Sequence, residues 1–255
     1  MGQAKKIVVK PIASKDARRI IQSLHYSGKS KPNSQLHFGV FLDGKCGGAM
    51  QFGPSIDKRK TQKLVEGTLW NEFIELNRMA FADWLPRNGE SRALGFAFRW
   101  MRKQYPHIKW CISFSDATQC GDGTIYRASG FVLTSIKLNK QMLRMPDGSV
   151  IARKTLDNSN HIGKNGEYGS AYAKKLGAVP LPGFQLRYIY FLDPTARKRL
   201  TVPEIPFSEI RRRGAGMYKG ESCVRSVDSD TPAAQVGKGG ATPTRTLQKQ
   251  KASRE

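Results

Sequence analysis

The chain has 255 residues and a formal net charge of +23, because 43 lysines and arginines outnumber 20 aspartates and glutamates. A net charge of about 2–8 keeps a small domain soluble, so this excess predicts a polyanionic partner, most simply nucleic acid. The excess is not confined to a basic tail, since residues 211–255 contribute +6 and residues 1–210 contribute +17. The apolar fraction of 39% permits a packed core.

Several classes of protein are excluded by simple patterns. No apolar run approaches the ~20 residues of a membrane span, and the N-terminal segment has no apolar centre of the kind a secretion signal needs. The four cysteines contain no CxxC pair, which argues against a zinc ribbon and against a disulfide framework. We therefore expect a protein of a reducing cytoplasm with no membrane partner.

The first half of the chain predicts strands around a single helix. Its apolar patterns predict strands over 6–12, 36–42, 46–52 and 73–81, and a helix that starts around residues 14–16 and ends near residues 25–28. Asp43-Gly44 suits the tight turn of a β-hairpin between the second and third strands. Two polar stretches interrupt this part, a loop over 29–34 and a basic, exposed segment over 57–63.

The second half is predicted to centre on a long helix over 92–104, whose apolar residues form one stripe. A polar loop over 86–91 precedes this helix. Further strands are predicted over 110–114, 131–138 and 186–192, a short helix over 124–128, a hairpin over 142–156, and helical structure over 172–176.

This order of elements predicts an α/β fold with a mixed sheet flanked by helices, and with a ligand-binding loop that opens the central helix. We expect residues 1–200 to form the catalytic domain. Residues 201–255 read as a Pro-rich and basic extension, and the Ser/Thr/Gly/Gln-rich part after about residue 222 is predicted to be disordered.

The loop before the central helix is a candidate phosphate site. A helix start presents free backbone N–H groups and a partial positive charge. Arg87, Asn88 and Ser91 lie in this loop, and Arg78 lies on the preceding strand. The alternative is an ordinary capped helix with solvated arginines.

A second group of candidates lies at the ends of predicted elements. Tyr126 follows a buried strand, and a tyrosine hydroxyl at a sheet cleft can protonate a leaving thiolate. His25 and Tyr26 begin a loop, and Asp116 ends a buried strand, where functional groups of α/β sheets gather. His25, Tyr26 and Asp116 suit acid–base chemistry or an N/O metal site. The alternatives are a core tyrosine and a helix-capping histidine.

One further charge stands out, because Glu75 lies inside an apolar strand. It either faces the site or pairs with Arg78, and Asn77 is a plausible polar support. The strand–loop–helix–strand order, followed by the Tyr-x-x-x-Gly-Phe segment that starts at Tyr126, resembles the GNAT acyltransferase superfamily. That resemblance implies a splayed β-sheet and an acyl-CoA. The usual Gly-rich pyrophosphate loop is replaced here by residues 87–92.

A longer set of strings resembles the Mom DNA-modification proteins of Mu-like bacteriophages over roughly residues 20–192. The strings are HYSGKSKPNSQLHFGVF, QFGPSIDKRK, FIELNRMAF, LPRNGESRAL, SFSDATQCGDGTIYRASGFVLT and GFQLRYIYFL. The resemblance implies an enzyme of the host bacterial cytoplasm that converts adenine in double-stranded DNA to N6-carbamoylmethyl (acetamido) adenine. This modification blocks host restriction enzymes.

The same resemblance implies roles for individual residues and cofactors. Acetyl-CoA and iron are the implied cofactors, with Arg78 and Ser91 as contacts of the coenzyme. Catalytic roles are implied for His25, Tyr26, Asp116 and Tyr126, the first three of which would also bind the iron. A dimer is kept open as the oligomeric state.

Two other functions stay open at this level. The first is a GNAT-type N-acetyltransferase that acts on a protein or a small amine. The second is a non-catalytic DNA-binding protein on the same scaffold. Adenine N6 is a weak nucleophile that is paired and stacked in a duplex, so an enzyme acting on it has to extrude the base.

Overall fold

A mixed sheet of seven strands forms the centre of the protein, in the order β1-β2-β3-β4-β5-β10-β6. Its strands are β1 (Val8–Pro11), β2 (Leu36–Leu42), β3 (Lys45–Gly53), β4 (Phe73–Phe81), β5 (Trp110–Asp116), β6 (Val132–Leu138) and β10 (Phe184–Phe191). A second sheet has the order β8-β7-β9 and consists of β7 (Met142–Arg144), β8 (Val150–Ala152) and β9 (Val179–Pro180). A third contains β11 (Met217–Tyr218) and β12 (Glu221–Ser222).

Eight α-helices are assigned in the part of the chain that the structure describes. They are α1 (Ser14–Leu24), α2 (Lys58–Gln62), α3 (Gly89–Gln104), α4 (Thr124–Ala128), α5 (Arg153–Asp157), α6 (Gly169–Lys175), α7 (Pro194–Arg197) and α8 (Ser208–Arg212). This computed structural model describes residues 2–118, 121–157, 169–218 and 221–222, all within one unit that spans residues 1–224. The predicted disorder from residue 223 onward lies outside the described residues.

The two faces of the central sheet are covered by different helices. Helix α3 buries Leu94, Ala97 and Phe98 in the main core, which also contains Phe52 and Leu186 from the sheet. Helix α1 covers the opposite face with Ala17 and Ile21. Its apolar residues recur at helical spacing, so they lie together on the one side of the helix that is buried. Inside the main core, Phe98 stacks on Tyr190 with ring centroids 4.0 Å apart.

The functionally important feature of the sheet is the pairing of β4 with β5. These strands are parallel, whereas the other neighbouring pairs of the central sheet are antiparallel. Their ladder joins Phe73–Glu75 to Trp110–Ile112 and then stops. Beyond it, β4 stays paired with β3 and β5 with β10, so the sheet splays open. The predicted fold class, a mixed and splayed sheet flanked by helices, is confirmed.

Several predicted elements are confirmed, and the differences have simple causes. Strands β2 and β4 have the predicted bounds. Helix α3 begins at Gly89 instead of Arg92, because Asn88 adopts a left-handed conformation, with φ 67°, that ends the preceding loop earlier. Helices α2 and α5 were not predicted, because the first was read as a basic exposed segment and the second as part of a hairpin over 142–156.

The segment after β10 packs on the body of the protein. The Ile205 N–H donates to Leu133 O at 2.8 Å, and Ile210 of α8 is buried in the main core. Among the described helices, none is long and apolar enough to cross a membrane.

Candidate functional site

The point where β4 and β5 separate forms the candidate site. The Ser113 hydroxyl of β5 donates to Leu76 O of β4 at 3.4 Å, just beyond the last paired residues. Further along, Arg78 of β4 pairs with Gln51 of β3, whereas Asp116 of β5 pairs with Gln185 of β10. Arg78 and Asp116 therefore lie on the two opposite walls of the opening.

On the β4 wall, the structure brings His25, Tyr26 and Arg78 together. The rings of His25 and Tyr26 lie 4.3 Å apart between centroids, at the end of α1. Burial, with a smaller contribution from the Arg78 guanidinium, lowers the pKa of His25 to about 4. His25 is therefore neutral near pH 7. Arg78 also joins the loop over 29–34 to β4, since its Nε donates to Lys29 O at 3.2 Å.

The hydrogen bonds of His25 define its tautomer. Nδ1 accepts from the backbone N–H of Ser27 at 3.1 Å, and the Ser27 hydroxyl lies 2.8 Å from the same nitrogen. Because a backbone N–H can only donate, Nδ1 carries no proton, and the neutral ring holds its proton on Nε2. His25 thus presents a hydrogen-bond donor at Nε2, whereas a general base would need an acceptor there.

Beneath this wall lies a buried polar network. Glu75, the last residue of β4 that pairs with β5, is buried and accepts hydrogen bonds from the side chains of Ser55 and Asn77. Burial raises the pKa of Glu75, although the nearby charges of Lys31 and Arg78 act in the opposite direction. Glu75 therefore interacts electrostatically with Arg78, as the sequence suggested.

The network also includes residues that sequence reasoning missed. Ser34 donates to Asn77 Oδ1 at 2.8 Å, and Gln51 Oε1 accepts from the Lys31 N–H at 3.2 Å. Gln51 is a fully buried polar residue within an apolar strand. A glutamine between the apolar residues of a predicted strand is the sequence signal that could have indicated this buried polar position.

On the β5 wall, Asp116 and Tyr126 are held in different ways. Asp116 Oδ1 accepts from the Thr118 N–H and from Asn139 Nδ2, each at 3.1 Å. The ring of Tyr126 packs between aromatic residues, with its centroid 5.0 Å from that of Tyr188 and 5.2 Å from that of Phe131. The carboxylate is thus oriented by hydrogen bonds, and the tyrosine by the shape of its surroundings.

The N-terminus of α3 is the third component of the site. The Arg92 N–H donates to Asn88 O at 3.1 Å, whereas those of Glu90 and Ser91 have no acceptor among the described residues. Asn88 makes no side-chain capping bond, and the Ser91 hydroxyl donates to Asn88 O at 3.2 Å. With Arg87 exposed beside them, these donors can bind an anion.

The predicted coenzyme contacts fall into two places. Ser91, Arg87 and Asn88 lie together at the start of α3, as the sequence predicted. Arg78 instead directs its guanidinium to Lys29 O and Asn77 O, at 3.2 and 2.8 Å, next to His25. Its described contacts therefore place it with the candidate catalytic residues.

The described residues give no support for the implied iron site. They contain no group of three or more His, Cys, Asp or Glu side chains that could hold a metal ion. A metal at Nε2 of His25 would displace its proton to Nδ1, against the Ser27 N–H. Asp116 Oδ1 is already taken by two donors.

A mixed sheet that splays between two parallel strands, beside the N-terminus of a long helix, defines the GNAT-like class of α/β proteins. Solved structures with a similar fold include a GNAT family acetyltransferase from Elizabethkingia anophelis with acetyl-CoA bound, with 13% identity, a TM-score of 0.41, and coverage of 73% of this chain and 98% of that one. Another is the ribosomal-protein-S18-alanine N-acetyltransferase from Escherichia coli, with 12% identity, a TM-score of 0.40, and coverage of 73% and 94%.

Within this class, the chain belongs to the Mom protein family, whose profile matches residues 6–209. The protein named methylcarbamoylase mom, from Escherichia phage Mu, is 37% identical over 198 residues, which cover 77% of this chain and 80% of that protein. The family resemblance seen in the sequence is confirmed.

Proposed function

We propose that this chain is a phage DNA-modification enzyme, a transferase that converts adenine in double-stranded DNA to N6-carbamoylmethyladenine and so protects the DNA from host restriction enzymes. The observation that carries the proposal is the 37% identity to a phage methylcarbamoylase over most of both chains. The charge of +17 over residues 1–210 supports DNA as the substrate, because lysines and arginines bind phosphates.

The N-terminus of α3 supports an acyl-CoA as co-substrate. The backbone N–H groups of Glu90 and Ser91, with the side chains of Arg87 and Asn88, would hold its pyrophosphate. The opening between β4 and β5, with Arg78 on one wall and Asp116 on the other, would receive the acyl end. When bound, the coenzyme would supply the two-carbon unit of the modification, whose methyl-derived carbon becomes joined to N6 and whose carbonyl carbon exchanges sulfur for the amide nitrogen.

The residues of the two walls have separate roles in binding the adenine and in transferring protons. Tyr26 has 59% of its surface exposed beside His25 and offers a ring on which an extruded adenine stacks. His25 donates from Nε2 to a substrate oxygen, and Arg78 stabilises negative charge that develops there. Asp116 accepts the proton that N6 loses, and Tyr126 holds a proton on Oη for the departing sulfur.

These roles account for proton transfer and charge only. A bond from N6 to a methyl-derived carbon also requires a two-electron oxidant, and the amide requires a nitrogen donor, so both are co-reactants in this proposal. Simple acetyl transfer would yield N-acetyladenine, so the mass of the product tests the chemistry directly. A carbamoylmethyl group adds about 57 Da to deoxyadenosine, and an acetyl group adds about 42 Da. A methylcarbamoyl group is an isomer of carbamoylmethyl, and synthetic standards of both nucleosides separate the two.

The experiment is mass spectrometry of nucleosides from plasmid DNA, after the full chain has been expressed in a bacterium. We expect the derivative of about 57 Da with the wild-type chain, and its loss with Asp116→Asn and with Tyr126→Phe. Matched controls are Asp83→Asn, at an exposed position, and Tyr172→Phe in α6.

The outcomes separate the three candidate functions. Unmodified DNA from cells that hold soluble, folded chain would contradict the proposal and favour an acetyltransferase of proteins or small amines. Duplex binding that survives both substitutions, with no modified base in any sample, would point to a DNA-binding protein.

A further inference from the structure

Outside the candidate site, three large apolar side chains stand exposed in the segments that precede and follow α2. The exposed fractions are 71% for Ile56, 67% for Leu69 and 49% for Trp70. Lys58, the first residue of α2, places its Nζ 4.4 Å from the centroid of the Trp70 ring. We call this surface, with Arg59 and Lys60 of the same helix, the α2 patch.

Hydrogen bonds to Thr68 anchor the loop that carries Leu69 and Trp70. Gln62 Nε2 donates to Thr68 O at 2.6 Å, and the Thr68 hydroxyl donates to Val65 O at 2.7 Å. The fully buried Trp110 donates from its ring nitrogen to the same hydroxyl at 3.1 Å. The exposure of Leu69 and Trp70 is thus a property of an anchored loop.

The ammonium group of Lys58 is also positioned. Besides its contact with the Trp70 ring, Nζ donates to Asn71 Oδ1 at 3.3 Å. A cation over an indole face holds the ring in place while the opposite face remains available for contact. Asp57 caps α2 and pairs with Lys60 at 3.2 Å, and Arg59 is an exposed cation of the same helix.

The α2 patch lies at the N-terminal end of β4, and a short series of hydrogen bonds connects it with the base of the opening. Thr61 of α2 lies 3.0 Å from the Ser55 hydroxyl, and the Ser55 side chain in turn hydrogen-bonds to Glu75, where β4 and β5 begin to separate. One hydrogen-bonded residue therefore links α2 to the base of the opening.

The chemistry of the patch favours DNA over a protein partner. Cores of protein–protein interfaces are depleted in lysine, but here Lys58 occupies the centre, against Trp70. Apolar side chains flanked by cations are the combination with which proteins unstack base steps while holding the adjacent phosphates. The positive charge of the whole body is complementary to the same partner.

We propose that the α2 patch is a DNA wedge, in which Trp70 and Leu69 press on the base stack near the adenine to be extruded while Lys58 and Arg59 bind flanking phosphates. This inference rests on the proposed function, since it takes a DNA duplex as the substrate. It assigns the opening of the duplex to the α2 patch, apart from the residues that perform the chemistry.

The test is binding of the full-length chain to fluorescent oligonucleotides, measured by anisotropy. Trp70→Ala should weaken binding to an intact duplex about tenfold, in line with the loss of one base–aromatic contact. The loss should be smaller for a duplex with an unpaired, bulged adenine, because that base is already unstacked. The matched control is Trp84→Ala, which removes a tryptophan that is 43% exposed and lies under Lys45 at 4.9 Å, and which should leave both affinities unchanged.

Two further variants keep the test decisive. Leu69→Ser changes the more exposed neighbour and should reproduce the preference for bulged DNA even if Trp70→Ala were to fold poorly. The double variant Lys58→Gln/Arg59→Gln should lower the slope of log affinity against log salt by about 2, as expected for two lost phosphate contacts.

Each result bears on a different claim. Equal affinities for Trp70→Ala and Trp84→Ala, in a chain whose wild type binds duplex DNA, would overturn the wedge and leave the proposed function intact. A wild-type chain that binds no duplex even at low salt would instead overturn the proposed function. A Trp70→Ala variant with normal DNA affinity but altered sedimentation would identify a self-association surface, and that result too would overturn the wedge.

Discussion

The two walls of the β4–β5 opening are stabilised by different interactions. The β4 wall relies on buried charge and hydrogen bonds, with Glu75 and Arg78 close enough to shift the pKa of their neighbours. The β5 wall relies on aromatic packing, in which the rings of Tyr126, Phe131 and Tyr188 support one another. A change of charge should therefore damage the first wall, and a change of shape the second.

The largest stability effect is expected on the β5 wall. Tyr126→Ala removes a ring that contacts two other rings, and it should cost about 3 kcal/mol of unfolding free energy. Tyr126→Phe keeps the ring and should stay within about 0.5 kcal/mol of wild type. Urea unfolding of the three chains measures both values. Similar losses for both variants would show that the hydroxyl, and not the ring, holds this wall.

On the β4 wall, Arg78→Met keeps much of the side-chain volume but removes the charge. It deprives Lys29 O and Asn77 O of their donor and should destabilise the protein by about 2 kcal/mol. Arg99→Met, at an exposed position of α3, is the control and should change little. If urea unfolding gives the same value for both, buried charge does not stabilise the β4 wall.

A smaller loss of stability is expected at Gly53, where the buried polar network of the β4 wall contacts the backbone of another segment. A Cβ added at Gly53 would lie 2.7 Å from both Asn77 Oδ1 and Ser34 Cα. Because one of these atoms belongs to the backbone, Gly53→Ala should cost about 1–2 kcal/mol by thermal or urea unfolding. Gly95→Ala in α3, where the nearest such contact is 3.5 Å from the end of the flexible Arg99 side chain, is the matched control and should not destabilise.

The smallest expected effect is a change of melting temperature with pH, caused by the ionisation of Glu75. Burial raises the pKa of Glu75, so its contribution to stability is present below the carboxyl's ordinary range and is lost as the pH rises through the raised value. Glu75→Gln is neutral throughout, so its melting temperature relative to wild type should rise between pH 4.5 and pH 8. A difference that stays constant over this range would show that Glu75 is not penalised by burial.

The elements themselves followed closely from local pattern. Alternation of apolar residues predicted the bounds of β4, and helical spacing predicted α1, with its end placed near residues 25–28 where the structure ends it at Leu24. The start of α3 was predicted three residues late. The left-handed conformation of Asn88 sets this start, and a backbone conformation at one residue leaves no trace in the apolar periodicity. The short helix α2 was described only as a basic segment, although it carries the cations of the proposed wedge.

The candidate site was predictable as a set of residues but not as an arrangement. The sequence, with its family resemblance, named His25, Tyr26, Asp116 and Tyr126 together, and it grouped Arg78 with Ser91. The structure groups Arg78 with His25 instead and holds Asp116 on the other wall. Contacts between residues as distant in the chain as 25 and 78 depend on how α1 packs on the sheet, which local pattern does not encode.

Composition and motif thus determined the class of protein and the family and predicted a polyanionic partner, because charge and long matched strings do not depend on packing. Only the tertiary structure decided where β4 parts from β5 and which nitrogen of His25 holds the proton. It also selected, among the 43 lysines and arginines, the one that lies against Trp70. The first and last of these features arise from contacts between segments that are apart in the chain, whose geometry is set when the whole core packs at once. The proton of His25 is fixed more locally, by the turn that brings the Ser27 N–H to Nδ1.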